Sequence, residues 1–406
     1  MRLRSLVLTC SALLALLYPL VASIPGMEGL AKRVWIAEPL VLGVFFFAAS
    51  TGIRHKVLQY LCIIAASCCV TLAAAEMYVT MLPVDRAGPQ FHSSDSVHAQ
   101  SGRSTQLYEQ GYSSPDPVLG YGPFLNGAMR IAARRVKGDA VIYDVLYSRD
   151  AEGRRITPDR GDKADTAVLL FGCSLTIGEG VNDQETYAWQ LGEMLGEKFQ
   201  VFNYGFHGYG AHQMLALVES GRLDGLVGRY THIYAFYLTI RGHAVRCAGL
   251  SPWDQAGPRY VLQKGALKHV GSFSETREHN TFYLADSFFA RSRLYAYIKE
   301  TYRQQTIPED ALRTHVAIIA QAMHALEARY RAHALTGIWP NFTGVELLLR
   351  EKGVRTLQLT GAMPDYASVS EKYSIQGDGH PNPLAHTRVA EALSAYILEN
   401  TQAKQP

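Results

Sequence analysis

The stretch TAVLLFGCSLTIGEG, residues 166–180, decides the fold. It opens with an uninterrupted apolar run, 167–171, which is typical of a strand buried on both faces of a parallel sheet. The character changes at 172–176, and beyond Asp183 apolar residues recur at helical spacing. Ser174 therefore stands where a buried strand turns toward a helix, at the sheet edge where α/β ligand sites lie. In isolation, such a serine could equally serve only to hydrogen-bond the turn backbone.

The rest of the chain alternates short strands with amphipathic helices. Strands are predicted at 140–148, 200–204, 232–240 and 354–360. Helices are predicted at 211–220, 309–333, 343–351 and 383–400. Residues 154–158 are expected to pair with 140–148 as a hairpin beside the main sheet. This order predicts an α/β fold, a three-layer α/β/α sandwich built on a parallel sheet.

Three long apolar segments precede this domain, at about residues 6–24, 34–53 and 57–79. Each has about the length that a helix needs to cross a bilayer, so three N-terminal transmembrane helices are predicted. Basic residues between the segments favour an amino terminus on the inside. The large α/β domain would then lie on the extracytoplasmic, periplasmic side of a bacterial inner membrane, as part of a multi-pass protein. The first segment could instead be a signal peptide that is cleaved.

The expected organisation is a transmembrane region at 1–80, a linker and flanking hairpin at 81–165, and an α/β domain at 166–406 with an insertion at 244–310. The formal charge of +3 is too small to indicate nucleic-acid binding. No Cys/His spacing resembles a zinc site, and neither a metal nor another cofactor is expected. A disulfide between Cys173 and Cys247 is left open by the sequence.

Near the carboxyl end, GDGHPN at 377–382 supplies the partners that a serine nucleophile needs. A serine hydroxyl becomes reactive only when a base removes its proton, and that base must be held by a third group. Residues two apart in an extended segment project to the same side, so Asp378 can orient His380. Asp365, in the preceding loop, is an alternative orienter. Taken alone, the segment is also compatible with a merely polar loop.

In combination, these motifs resemble those of the SGNH hydrolases, also called the GDSL family, over residues 166–406. The first block of that family, Gly-Asp-Ser-Leu, corresponds to Gly172-Cys173-Ser174-Leu175, and the glycine of its second block to Gly208. Its last block, an Asp shortly before a His, corresponds to Asp378 and His380. The resemblance implies a catalytic triad of Ser174, His380 and Asp378, with the backbone N–H groups of Ser174 and Gly208 in the oxyanion hole.

Two departures from the family pattern concern the site. Cys173 replaces the aspartate of the first block, which is not a member of the triad. The third block usually supplies an Asn to the oxyanion hole, but the corresponding residues 237–243 contain none. One lost oxyanion donor costs about a hundred- to a thousandfold in rate. Arg241 and His243 are the candidates for the vacant role, although each could also be a structural residue.

The resemblance implies a serine esterase that acts on acyl esters, often acetyl groups on carbohydrate, and the apolar segments predict that it is membrane-anchored and extracytoplasmic. Trp253 and Tyr260 suit stacking on a sugar, or they belong to the core. One alternative is an O-acyltransferase that modifies an envelope polysaccharide with the help of a membrane partner protein. Another is a binding module that has lost catalysis. The expected partners are an acyl ester, with a glycan as its carrier, and a lipid bilayer through the N-terminal helices.

Overall fold

The computed structural model describes residues 28–81, 104–108, 112–123, 129–137, 140–226, 228–251, 253–275, 289, 292–298, 307–342 and 344–402. The chain forms two compact units. One contains residues 1–84 and 281–306, and the other contains 85–280 and 307–406. This division differs from the expected one, because the strands before residue 166 group with the main sheet, whereas 281–306 does not.

The first unit contains two described helices, Glu28–Ser50 and Lys56–Met81. Of the described residues, Lys56–Val79 forms a helix that is long and apolar enough to cross a membrane. The apolar part of the preceding helix, Ala37–Ser50, is shorter, because Glu38 lies at its start and the helix ends at Ser50. The predicted segment 6–24 lies outside the described residues. Within residues 28–81, where two membrane-spanning helices were predicted, the structure therefore has one helix with the required length and composition.

A buried glutamate lies near the end of this apolar helix. Glu76 accepts hydrogen bonds from the Ser292 hydroxyl at 2.7 Å and from the Leu294 backbone N–H at 2.9 Å. The second contact satisfies an amide group at the start of a short helical segment, 293–298. The carboxylate thereby has donors of its own, which explains how an otherwise apolar helix accommodates it.

The second unit is built on strands. In chain order the strands are β1 Ser104–Tyr108, β2 Ser113–Asp116, β3 Gly120–Pro123, β4 Met129–Lys137, β5 Ala140–Arg149, β6 Thr166–Phe171, β7 Phe199–Asn203, β8 His232–Thr239, β9 Pro258–Gln263, β10 Ala266–Ser272, β11 His333–Ile338 and β12 Thr356–Gln358. The main sheet has the order β12-β11-β8-β6-β7, and its strands are parallel. This sheet confirms the predicted α/β class. Strand β11 was not predicted, because the preceding helix was expected to continue to residue 333. That helix ends at Tyr330, where Arg331 takes a left-handed conformation with φ of 51°.

Helices cover both faces of the sheet. Their bounds are Ser174–Ile177, Tyr187–Leu195, Ala211–Glu219, Arg241–Cys247, Glu309–Tyr330, Val345–Glu351 and Pro383–Gln402. Alternate residues of β6 point to opposite sides, so Leu169 and Phe171 join one core cluster whereas Val168 and Leu170 join the other. Helices 211–219 and 309–330 pack in the first cluster, and helices 187–195 and 383–402 in the second. The result is a three-layer arrangement.

Strand β5 pairs with β4, which precedes it, and β4 pairs in turn with β1, all antiparallel. The predicted pairing of 140–148 with 154–158 is confined to its turn-proximal end, where the Ile156 N–H donates to the Ser148 carbonyl at 3.0 Å, and no regular strand forms at 154–158. Within 154–158, Arg155 makes isolated bridges with Arg149 and Asn203. A regular strand is disfavoured there, because Pro158 has no N–H to donate. A further antiparallel hairpin, β9–β10, lies within the predicted insertion at 244–310.

Candidate active site

Ser174 is the first residue of the short helix after β6, as the sequence predicted, and is buried with 6% of its surface exposed. Two glycines allow the backbone to close around it. A Cβ atom on Gly172, where φ is +153°, would lie 2.1 Å from the Thr176 hydroxyl oxygen. A Cβ atom on Gly205 would lie 2.6 Å from Cβ of Thr176. The serine turn and the turn after β7 therefore pack at backbone contact, which larger residues would prevent.

The structure brings Ser174, His380 and Asp378 together. Nε2 of His380 lies 2.9 Å from Oγ of Ser174, and Nδ1 is hydrogen-bonded to Oδ1 of Asp378. The same carboxylate oxygen accepts the backbone N–H of His380 at 3.0 Å. Gly377 and Gly379 both have positive φ, of 82° and 94°, which bends the loop so that residues two apart face each other. Asp365, the alternative orienter, instead binds the hydroxyl of Tyr373 and, at 2.7 Å, Nζ of Lys372.

Three further side chains surround this chain of hydrogen bonds. Arg135, on β4, places Nη1 2.8 Å from Oδ2 of Asp378 and 3.6 Å from Oε1 of Glu179. Oε2 of Glu179 lies 3.3 Å from Nε2 of His380 and 2.6 Å from Nδ1 of His207. Sequence reasoning missed all three. Glu179 stands inside the stretch that decides the fold, but nothing in the local pattern indicates that it reaches the histidine.

These charges shift the pKa values of the pair. Burial by itself would lower the pKa of His380, but the carboxylates of Glu179 and Asp378 outweigh burial and raise this pKa to about 9. Burial by itself would raise the pKa of Asp378, but hydrogen bonding from His380 and the charges of His380 and Arg135 lower it. Asp378 is therefore ionised at neutral pH and oriented toward the imidazole.

The two predicted oxyanion donors come from adjacent loops at the carboxyl edge of the sheet. In the described part of the chain, neither the backbone N–H of Ser174 nor that of Gly208 donates a hydrogen bond. Asn203 links the loops, because its amide donates to the Thr176 carbonyl at 2.9 Å and accepts the Gly205 N–H at 3.0 Å. Such N–H groups can bind a developing oxyanion.

The candidates for the third oxyanion donor have different environments. His243 is fully buried, with Nδ1 2.6 Å from the Tyr237 hydroxyl and its ring centroid 6.3 Å from that of His315. Its Nε2 is also buried without a hydrogen-bond partner among the described residues, so a role for His243 in the oxyanion hole stays a prediction. Arg241 begins the helix that follows β8 and is half-buried. Its Nε atom is buried and has no hydrogen-bond acceptor among the described residues.

The loop after the nucleophile turn is held by Arg155, which is fully buried. Its guanidinium pairs with Asp183 at 3.0 Å. It also donates to the carbonyl oxygens of Ile177 at 2.9 Å and Val181 at 2.6 Å, and to that of Gly178. A single cation thus satisfies the carbonyl groups that the short helix leaves unpaired at its end.

A second buried polar cluster surrounds Cys247. Its sulfur lies 3.4 Å from Nδ1 of His212 and 3.3 Å from Nδ1 of His315, while Asp254 lies 2.6 Å from the other nitrogen of His212. Although burial opposes ionisation, the two histidines lower the pKa of Cys247 to about 6. Cys247 is 1% exposed, so the cluster is an interior charge network. Both Cys247 and Cys173 are free thiols, which excludes the disulfide left open by the sequence.

The ligand-type atoms of Glu179, Asp378 and His380 lie within 4.8 Å of one another. However, the two carboxylates approach opposite nitrogens of the imidazole, and one metal ion binds only one nitrogen of a histidine ring. Each carboxylate also already faces donors from the protein. The arrangement therefore suits proton transfer.

Comparisons with known proteins concern the fold. Among solved structures, the chain is similar to a lipolytic protein of the G-D-S-L family from Desulfitobacterium hafniense DCB-2, with 16% identity, a TM-score of 0.33, and coverage of 56% of this chain and 98% of that one. A member of the lipolytic protein G-D-S-L family from Veillonella parvula DSM 2008 matches with 12% identity, a TM-score of 0.31, and coverage of 57% and 97%. TesA matches with 14% identity, a TM-score of 0.31, and coverage of 57% and 97%. No family model and no curated protein matches.

Similarity at this level supports no inference about activity. The activity of this chain has to be argued from its own residues. Its own architecture agrees with the resemblance found in the sequence. The parallel sheet carries Ser174 at its carboxyl edge, and Asp378 and His380 immediately precede the last helix. The fold is SGNH/GDSL hydrolase-like.

Proposed function

We propose that this protein is a serine esterase in which Ser174 attacks an acyl ester. The observation that carries the proposal is the continuous path from Asp378 through His380 to Oγ of Ser174, with the last step 2.9 Å long. His380 takes the proton of the serine hydroxyl as the Ser174 oxygen bonds to the carbonyl carbon. The backbone N–H groups of Ser174 and Gly208 then stabilise the tetrahedral oxyanion.

The acyl-enzyme is resolved in the second half of the reaction. The imidazolium first returns its proton to the departing alcohol. Water then loses a proton to His380 and attacks the ester that the acyl group forms with Ser174, so that the carboxylic acid leaves and the free serine returns. Asp378 orients the imidazole in both halves. We assign the third oxyanion contact to Arg241, since its buried Nε is available and it follows β8, the neighbour of β6 in the sheet.

We further propose acetylated carbohydrate as the substrate class and a membrane as the location. Trp253 supports the first part, because it is half-buried and its Nε1 donates to the carbonyl of Gly208 at 3.4 Å. An aromatic face beside the oxyanion turn suits a sugar ring. Tyr260, in contrast, is 3% exposed and binds Glu219, which places it in the core. The helix Lys56–Val79 supports the second part. The orientation across the membrane stays a prediction from the basic residues.

Hydrolysis of p-nitrophenyl acetate by the full-length chain in detergent tests the esterase function. Wild type is expected to turn over, whereas Ser174→Ala and His380→Ala fall to background with unchanged circular dichroism. A folded wild type that is no faster than either variant would overturn the function. An O-acyltransferase with the same triad would be indicated if an added sugar alcohol, rather than water, received the acetyl group.

A further inference from the structure

Two carboxylates approach the imidazole of His380, one at each ring nitrogen. Asp378 binds Nδ1, as in the triad described above. Oε2 of Glu179 lies 3.3 Å from Nε2, which is the same nitrogen that lies 2.9 Å from Oγ of Ser174. Glu179 is 2% exposed, so water screens this interaction little.

The position of Glu179 bears on the protonation of His380. A neutral His380 with its proton on Nδ1 presents a lone pair at Nε2, which accepts the Ser174 hydroxyl proton. The same lone pair repels a carboxylate oxygen at 3.3 Å. A proton on Nε2 converts this repulsion into attraction. The geometry therefore favours an imidazolium that donates from Nδ1 to Asp378 and from Nε2 toward Glu179.

Glu179 is itself held by donors on other elements. Burial and the charge of His380 keep the pKa of His207 well below its ordinary value, so His207 is neutral. It contacts Oε2 through Nδ1 at 2.6 Å. Oε1 lies 3.5 Å from the Tyr143 hydroxyl and 3.6 Å from Nη1 of Arg135. These groups solvate an anion, and they hold the carboxylate near the histidine.

The charges of the side chains around His380 sum to zero when His380 is protonated. In the part of the chain that the structure describes, Glu179 and Asp378 bring two negative charges and Arg135 brings one positive charge. A cationic His380 neutralises the remaining negative charge.

Other titratable groups that face the site stay neutral. Burial raises the pKa of Tyr143 and of Tyr147, both on β5. On the last helix, burial lowers the pKa of His386 to about 3. None of these side chains therefore adds a charge that would change the balance around His380 at neutral pH.

We propose that Glu179, held by His207, is a positioning residue that keeps His380 protonated in the resting enzyme, so that Ser174 is activated only after that proton leaves to solvent. The inference rests on the proposed esterase function, because it gives His380 the role of base. An exposed fraction of 17% gives the imidazole a path for that proton. With its pKa at about 9, roughly one His380 in a hundred is neutral at pH 7. Serine reactivity is therefore expected to rise about a hundredfold from pH 7 to its plateau.

The test compares the full-length wild type with Glu179→Gln, and with Glu193→Gln as the control, since Glu193 is an exposed acid. Nitrogen-15 NMR of labelled histidines, with His380 assigned from its loss in His380→Gln, measures the protonation of the imidazole directly. The rate at which a fluorophosphonate labels Ser174 is measured over the same pH range. Wild type and Glu193→Gln are expected to show a midpoint near pH 9 in both measurements, and Glu179→Gln a midpoint at least one unit lower.

A wild-type His380 that titrates near the ordinary value of about 6.5 overturns the inference, whether or not Glu179→Gln folds. An unchanged midpoint in a folded Glu179→Gln also overturns it. The two proposals fail separately. A serine that resists labelling, in a protein whose His380 titrates near pH 9 and shifts in Glu179→Gln, contradicts the esterase and leaves the role of Glu179 intact. Serine-dependent hydrolysis in a protein whose His380 titrates at its ordinary pH supports the esterase and contradicts the role of Glu179.

Discussion

Nη1 of Arg135 lies 2.8 Å from Oδ2 of Asp378, in a contact that joins strand β4 to the loop before the last helix. The two side chains are 6% and 0% exposed. One oxygen of the aspartate therefore faces His380 while the other faces a buried guanidinium. An antiparallel strand that lies outside the parallel sheet thus takes part in holding the catalytic candidates.

Replacing Arg135 with Gln is expected to raise the pH at which the proposed esterase becomes active. The charge of Arg135 lowers the pKa of both Asp378 and His380, so both pKa values rise when it is lost. The midpoint of the kcat/KM profile should therefore move upward by about one unit, opposite in sign to the shift in Glu179→Gln.

The same substitution is expected to destabilise the fold. A carboxyl group whose pKa is lowered by folding contributes stability above its unfolded pKa, and this contribution is lost as pH falls. Asp378 is such a group, so removal of its partner costs about 3 kcal/mol of unfolding free energy at pH 7, measured by urea denaturation. Arg134→Gln is the control, since Arg134 is 48% exposed. Matching pH profiles and stabilities for the two variants would contradict both expectations.

Arg241→Met tests the third oxyanion contact. If Nε of Arg241 stabilises the oxyanion, kcat for p-nitrophenyl acetate falls about a hundredfold, while KM changes little, because the contact forms in the transition state. Arg229→Met controls for loss of a positive charge, since Arg229 is exposed and stacks on Tyr230. Equal kcat values for these two variants would remove Arg241 from the site.

Arg155→Met is expected to lower the unfolding free energy by about 3–5 kcal/mol, because it leaves Asp183 and three carbonyl groups without their buried partner. Guanidinium chloride denaturation measures the loss. Arg154→Met is the matched control, because the adjacent Arg154 pairs with Asp150 and Glu152, which are 30% and 66% exposed. The predicted order of stabilities is wrong if Arg154→Met unfolds as readily as Arg155→Met.

Trp253→Ala tests the carbohydrate part of the proposal. Loss of an aromatic face that contacts a sugar costs about 1 kcal/mol, which corresponds to about a fivefold rise in KM for a peracetylated hexose. KM for p-nitrophenyl acetate, which has no sugar, is expected to stay constant. Tyr260→Phe, in the core, should change neither value. A parallel change of KM for both substrates in Trp253→Ala would argue against stacking.

The sequence by itself determined the features that depend on neighbouring residues. The apolar run of β6 and the glycine turn that follows it place Ser174 at the end of a buried strand. The two-residue spacing of Asp378 and His380 predicts that the carboxylate can orient the imidazole, and the amphipathic pattern of 383–400 predicts the last helix. These are local properties, because the periodicity of a strand or a helix depends on consecutive residues.

Tertiary structure alone decided which distant groups meet. Arg135 reaches Asp378 only because β4 pairs with β5 and lies beside the site, and the sequence of β4 shows no sign of that contact. Glu179 reaches His380 only because two loops from different strands meet at one sheet edge. The protonation of His380 depends on such contacts, because charge interactions act through space rather than along the chain. The candidate base was therefore predictable from the sequence, whereas the contacts that set its protonation were not.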